Sequence, residues 1–210
     1  MNTKSTTDNA FSRIVTYMLL VIGLIYVILV VWGIATQDPA TGYIKDNIKF
    51  LMEIGTMLSA LVLLLFTVSV HQNAKENNNS FGIISIIFMA LLVATTFISH
   101  FVSITLSKQL TMVWENYKYV GSMEWPSVLF AIDILAWDVF FGLAFLSLGI
   151  SVLQNSKNSL VGILMICSGI LSLLGLAAIP LNNMNVRYIG IFGYTVMPLI
   201  SCVFYVRKRD

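Results

Sequence analysis

Six apolar stretches, residues 14–34, 48–70, 81–106, 128–153, 160–181 and 188–206, dominate the chain, and each is bounded by polar or charged residues. A helix takes roughly 20 apolar residues to cross a hydrocarbon core about 30 Å thick. Inside lipid, every backbone N–H and C=O must find a partner within the protein, which leaves only helices and closed barrels. These stretches are long and lack the two-residue alternation of barrel strands, so they predict helices. The expected fold is all-α: an integral membrane bundle of six transmembrane helices over residues 14–206, between an N-terminal tail of residues 1–13 and a basic C-terminus of residues 207–210. The first stretch exceeds a signal-peptide core and no small-x-small cleavage site follows it, so it reads as a retained helix. With 58% hydrophobic and 10% charged residues in 210, no room remains for a soluble catalytic domain. The formal charge of +2 comes without a basic run, which excludes a nucleic-acid partner and leaves membrane lipids as the expected surroundings.

Six spans put both termini on one side, and the excess of Lys and Arg in cytoplasmic loops selects which. One side carries Lys4, Arg13, Lys75, Lys157, Arg207, Lys208 and Arg209; the other carries Lys45, Lys49, Lys108, Lys118 and Arg187. Seven against five, with Arg207, Lys208 and Arg209 abutting the last span, predicts a cell-membrane protein with cytoplasmic termini. The connectors at residues 71–80 and 155–158 are short, so their flanking spans should pack antiparallel. The long loop, residues 107–127, then lies outside. Leu110, Val113, Trp114 and Tyr117 recur there at helical spacing between Thr111, Glu115, Asn116 and Lys118. This predicts an amphipathic segment in the outer interface, acting either as an aromatic belt or as a lid.

Four ionisable residues fall inside the spans: Glu53, His100, Asp133 and Asp138. A charge at the bilayer centre costs roughly 2.5–3.5 kcal/mol on insertion scales, so such groups face the bundle interior and have partners. At about 1.5 Å per residue, Glu53, His100 and Asp133 lie roughly 8–9 Å below the outer ends of their spans, and Asp138 roughly 15 Å. Thr96, Ser99, His100 and Ser103 share one face of the third span, a polar stripe that Glu53 and Thr56 can meet across a hairpin. Asp133 and Asp138 are five apart, which in an α-helix sets them about 140° apart. They should therefore point apart, Asp133 with Trp137 toward the Glu53 and His100 group, and Asp138 toward a Tyr or Ser on another helix. A protonated Asp138 carboxyl donating between helices is the purely structural alternative.

The remaining patterns point to packing. Ser168, Ser172 and Gly175 form a small-residue face on the fifth span, Gly190 and Gly193 allow close approach on the sixth, and Pro198 should kink it. Cys167 and Cys202 lack CxxC spacing and read as buried thiols. His71 sits at the far end of its span, which leaves one histidine for any metal. No metal or cofactor is predicted, and catalytic residues stay unassigned.

Residues 137–174, with the patterns FFGL and LSLG running through a short polar turn into a Gly-spaced helix, resemble the latter part of a family of small, uncharacterised bacterial polytopic membrane proteins. FLMEIGTMLSALVLLLF in the second span is similar to that family's second helix. The resemblance implies the architecture and brings no activity.

Intramembrane ionisable residues mark ion, proton or substrate sites. The expected function is binding, with transport as an extension, of a small amphiphilic ligand, a lipid headgroup or a proton or ion. Glu53, His100, Asp133, Asp138, Ser99, Ser103 and Trp137 are the candidate site. No inverted repeat or broken span supports active transport. Two other readings stay open: a structural, accessory or immunity-type protein, and an intramembrane enzyme using a carboxyl and His100 as acid and base. The second has no nucleophile, metal triad or cofactor fingerprint behind it. No pattern specifies an oligomeric state.

Overall fold

The computed structural model describes residues 4–38, 44–73, 80–113, 118–155 and 159–207. Six helices long and apolar enough to cross a membrane account for nearly all of them, and no strand occurs among the described residues. They are α1 (Lys4–Ala35), α2 (Asp46–Gln72), α3 (Ser80–Val113), α4, α5 (Ser159–Leu174) and α6 (Arg187–Arg207). The fourth has three parts: an α-helical start, Val128–Ile134, a π-helical turn, Leu135–Phe140, and a long α-helical remainder, Phe141–Asn155. The protein is an all-α, multi-pass membrane protein.

The helices pack in chain order around a ring, each against the next, and α6 closes against α1. Between them Phe66, Met89, Leu92, Phe141, Phe145, Leu148 and Met165 are completely buried. The Phe141 and Phe145 rings stack at 4.3 Å. Outward, α1 presents Ile14, Val21, Leu24, Ile25 and Ile28, each more than half exposed, an apolar surface suited to lipid. Several hydroxyls inside the bundle are absorbed by their own helices. Thr16 donates to the Ser12 carbonyl, Thr67 to that of Leu63 and Ser201 to that of Met197, so these polar side chains need no neighbour.

Glycine sets the close crossing of α4 on α5. Gly142 and Gly149 on α4 face Gly169 and Gly162 on α5, seven residues apart on both helices. A Cβ on Gly149 would lie 2.7 Å from the Gly162 carbonyl oxygen, and one on Gly169 would lie 2.6 Å from that of Gly142. Backbone cannot yield as a flexible side chain does, so any larger residue must push the helices apart. On the next crossing, the Ser168 hydroxyl donates to the Gly193 carbonyl at 2.6 Å, which joins α5 to α6.

Several boundaries depart from the sequence expectation. Helix α3 does not stop at the membrane edge but continues as one helix through Val113. Of the expected interfacial segment, Trp114, Glu115, Asn116 and Tyr117 lie outside the described residues, as do the side chains of Leu110, Thr111, Val113 and Lys118. A single helical turn, Lys118–Gly121, follows. The α-helical part of α5 ends at Leu174 and tightens into a 3₁₀ turn, Gly175–Ala178; Asn182, at φ 47, makes the return toward Arg187.

Candidate functional site

Helix α4 begins where the Ser127 hydroxyl oxygen accepts the Phe130 backbone N–H at 3.1 Å, an N-cap that aims the first turn into the bundle. Two residues after Asp133 the chain passes into the π-helical turn. The Phe141 N–H reaches back five residues to the Ala136 carbonyl. In that wider turn residues five apart return toward the same side. Asp133 and Asp138 accordingly do not point apart: both accept from one guanidinium, Asp133 Oδ2 from Arg187 Nη2 at 2.9 Å and Asp138 Oδ2 from Arg187 Nε at 2.9 Å. The sequence expectation of divergent carboxyls assumed an undistorted α-helix, and the partner of Asp138 is an arginine rather than a Tyr or Ser. The Ser172 hydroxyl, from α5, donates to the Trp137 carbonyl at 2.6 Å and ties the π-helical turn in place.

The slot for Asp138 is made by what is missing opposite it. A Cβ on either Gly175 or Gly190 would fall on Asp138 Oδ1, so only glycine at both positions leaves room for the carboxyl. Asp138 is fully buried and its Oδ1 has no hydrogen bond. Arg187 is itself buried, and its guanidinium lies over the Phe130 ring, 4.7 Å from the centroid. The guanidinium is thus held by two carboxylates and an aromatic face.

From Asp133 the chain of contacts continues. Asp133 Oδ1 lies 3.4 Å from His100 Nε2, and His100 Nδ1 lies 3.5 Å from Glu53 Oε2. The other oxygen of Glu53 accepts from the Ser103 hydroxyl at 2.7 Å. Glu53, His100, Asp133, Arg187 and Asp138 therefore form one line of alternating acid and base from α2 through α3 and α4 to α6. A neutral imidazole can donate from only one nitrogen, so only the imidazolium serves both of its carboxylates. Ser99 does not join: its hydroxyl donates to the Thr96 carbonyl at 3.1 Å.

Beside this line is a cavity of about 300 Å³. Its deep wall is made of Glu53 and Thr56 from α2, His100 from α3, Asp133 and Trp137 from α4, Tyr26 from α1 and Tyr194 from α6; its mouth is at the end away from the termini, at Gln37, Ile44, Asp46, Lys49, Met123 and Glu124. Trp137 and Tyr194 pack with ring centroids 5.3 Å apart, and the Trp137 indole N–H is buried without an acceptor. Below the three aromatic residues lies a second void of about 20 Å³, apolar and bordered by Leu19, Leu63 and Leu199. Among the described residues no three His, Cys, Asp or Glu side chains converge as a metal site. The arrangement can bind hydrogen-bond donors and positive charge, and can pass a proton between carboxyl and imidazole.

Sequence reasoning missed Arg187, Tyr26 and Tyr194. Arg187 abuts the last apolar stretch and was counted among the loop charges; three carboxyls buried against one histidine were the signal that a further cation had to be nearby. The tyrosines carried no signal beyond their positions in apolar spans. Comparison with family models, curated proteins and solved structures finds no match to this chain.

Proposed function

We propose that the protein is a membrane binding module that takes a small amphiphilic molecule, held by its polar end at Glu53, His100 and Asp133. The observation that carries this is the cavity itself. A polar wall built from three helices meets an aromatic floor at membrane depth, in a volume at the small end of the range for ligand sites. The line divides by role. Arg187, whose Nε and Nη2 donate to Asp138 and Asp133, fastens α4 to α6, whereas Glu53 and His100 line the cavity and approach each other only to 3.5 Å, without a hydrogen bond. In this reading the termini are cytoplasmic and the mouth opens to the exterior. Taking Arg187 out of the loop charges widens the positive margin on the terminal side to seven against four.

Mass spectrometry of small molecules and lipids co-purifying with wild type and with a monodisperse Glu53→Gln, His100→Gln variant tests the binding reading. A species enriched on wild type and lost from the variant is expected. Identical bulk lipid on both would remove the reading's support and favour a structural role; a chemically altered species would point to an enzyme instead. Orientation is tested with an impermeant maleimide on intact cells, using chains without Cys167 and Cys202. Met123→Cys, at the mouth, should be labelled and Asn73→Cys, at the other end, should not. The reverse pattern would turn the mouth to the cytoplasm.

A further inference from the structure

The geometry points to a small organic monocation, a protonated amine or a quaternary ammonium, as the ligand class. This rests on the binding reading above. The charge around the cavity decides the sign. Asp46, Glu53, Glu124 and Asp133 contribute four carboxyls to its lining, against one ammonium, Lys49, and the His100 imidazole. The one guanidinium nearby does not line the cavity, and its Nε and Nη2 already donate to Asp138 and Asp133. With His100 as the imidazolium the lining still carries two net negative charges, so an anionic headgroup would be repelled, most strongly at the buried end. A cation meets Glu53, a cavity-lining carboxylate whose side chain is only 8% exposed and whose Oε2 lies 3.5 Å from His100 Nδ1 without a hydrogen bond.

The floor adds a second, independent preference. Tyr26, Trp137 and Tyr194 close the deep end, and aromatic rings beside carboxylates favour alkylammonium groups, whose charge is spread over apolar surface. The void beneath holds little more than one water-sized group, so the rings mark the end of the site. The ligand is therefore compact, with its charge on the cavity side of Glu53 and a short apolar substituent on the rings.

Calorimetric titration of the protein in zwitterionic-lipid nanodiscs tests this with matched probes: butylammonium and tetraethylammonium against butanol and butyrate. Both cations should bind saturably and the neutral and anionic probes should not. Glu53→Gln, which keeps the acceptor for Ser103, should weaken the cations by about thirtyfold or more. As a second variant, Tyr26→Leu should weaken tetraethylammonium about fivefold while Tyr26→Phe retains it. If butanol or butyrate binds in a Glu53-dependent manner, the binding reading stands and the cation assignment falls. If no probe binds at millimolar concentration the cation assignment also falls, and the co-purification experiment alone decides the binding reading.

Discussion

Arg187→Met is expected to destabilise the protein by about 3–5 kcal/mol, the usual cost of removing one partner from a buried ion pair. Two carboxyls depend on this guanidinium at 2.9 Å each, and Asp138 is fully buried with its other oxygen already without a hydrogen bond. Loss of the cation leaves both in apolar surroundings on a helix whose glycine-lined crossing gives them nowhere to turn. Thermal unfolding in detergent, followed by circular dichroism, reads the effect. The decisive comparison is the fully neutral variant Asp133→Asn, Asp138→Asn, Arg187→Met. It should recover much of the lost stability, because removing a whole buried ion cluster is often close to neutral. Should Arg187→Met melt with wild type, the proposed fastening of α4 to α6 is wrong.

Inserting one alanine after Leu135 should have an effect of similar size, whereas deleting Leu135 should be tolerated. The insertion sets Asp133 and Asp138 six apart and rotates residues 128–134 by about 100° relative to the rest of α4. Asp133 then leaves Arg187 and His100 together, and stability should fall by about 3 kcal/mol or more. The deletion lets the π-helical turn relax to an α-helix, in which the two acids, then four apart, stay within about 40° of one another, so it should remain within about 1 kcal/mol of wild type. The same detergent melts compare the two. A deletion as damaging as the insertion would mean that the π-helical turn is not what unites the carboxyls.

The six helices could be read from the chain because their apolar runs are long and their ends polar, and hydropathy is a local property. The same contrast exposed Glu53, His100, Asp133 and Asp138, since a charge stands out against leucine and isoleucine. Arg187 escaped because it follows Asn182, Asn183 and Asn185, where a charge looks like part of a loop. Its burial depends on the 3₁₀ turns that carry the chain back into the bundle. The π-helical turn was beyond sequence reasoning for another reason. Its hydrogen-bond pattern differs from an α-helix by one residue, and what holds it, the Ser172 hydroxyl, comes from a different helix. Helix order around the ring follows from packing at Gly149, Gly162 and Gly193, which spacing along one helix does not encode.

The closed ring has a consequence for how the chain is made. Helix α4 enters the membrane carrying Asp133 and Asp138, but their counter-charge is on α6, some fifty residues nearer the C-terminus. During synthesis the two acids are without that cation until the last helix arrives, and Tyr194 completes the cavity wall against Tyr26 only then. A chain halted after α5 would therefore display the signature that membrane surveillance can detect, uncompensated acid within lipid. Arrival of the final helix neutralises the acids and completes the pocket in a single event.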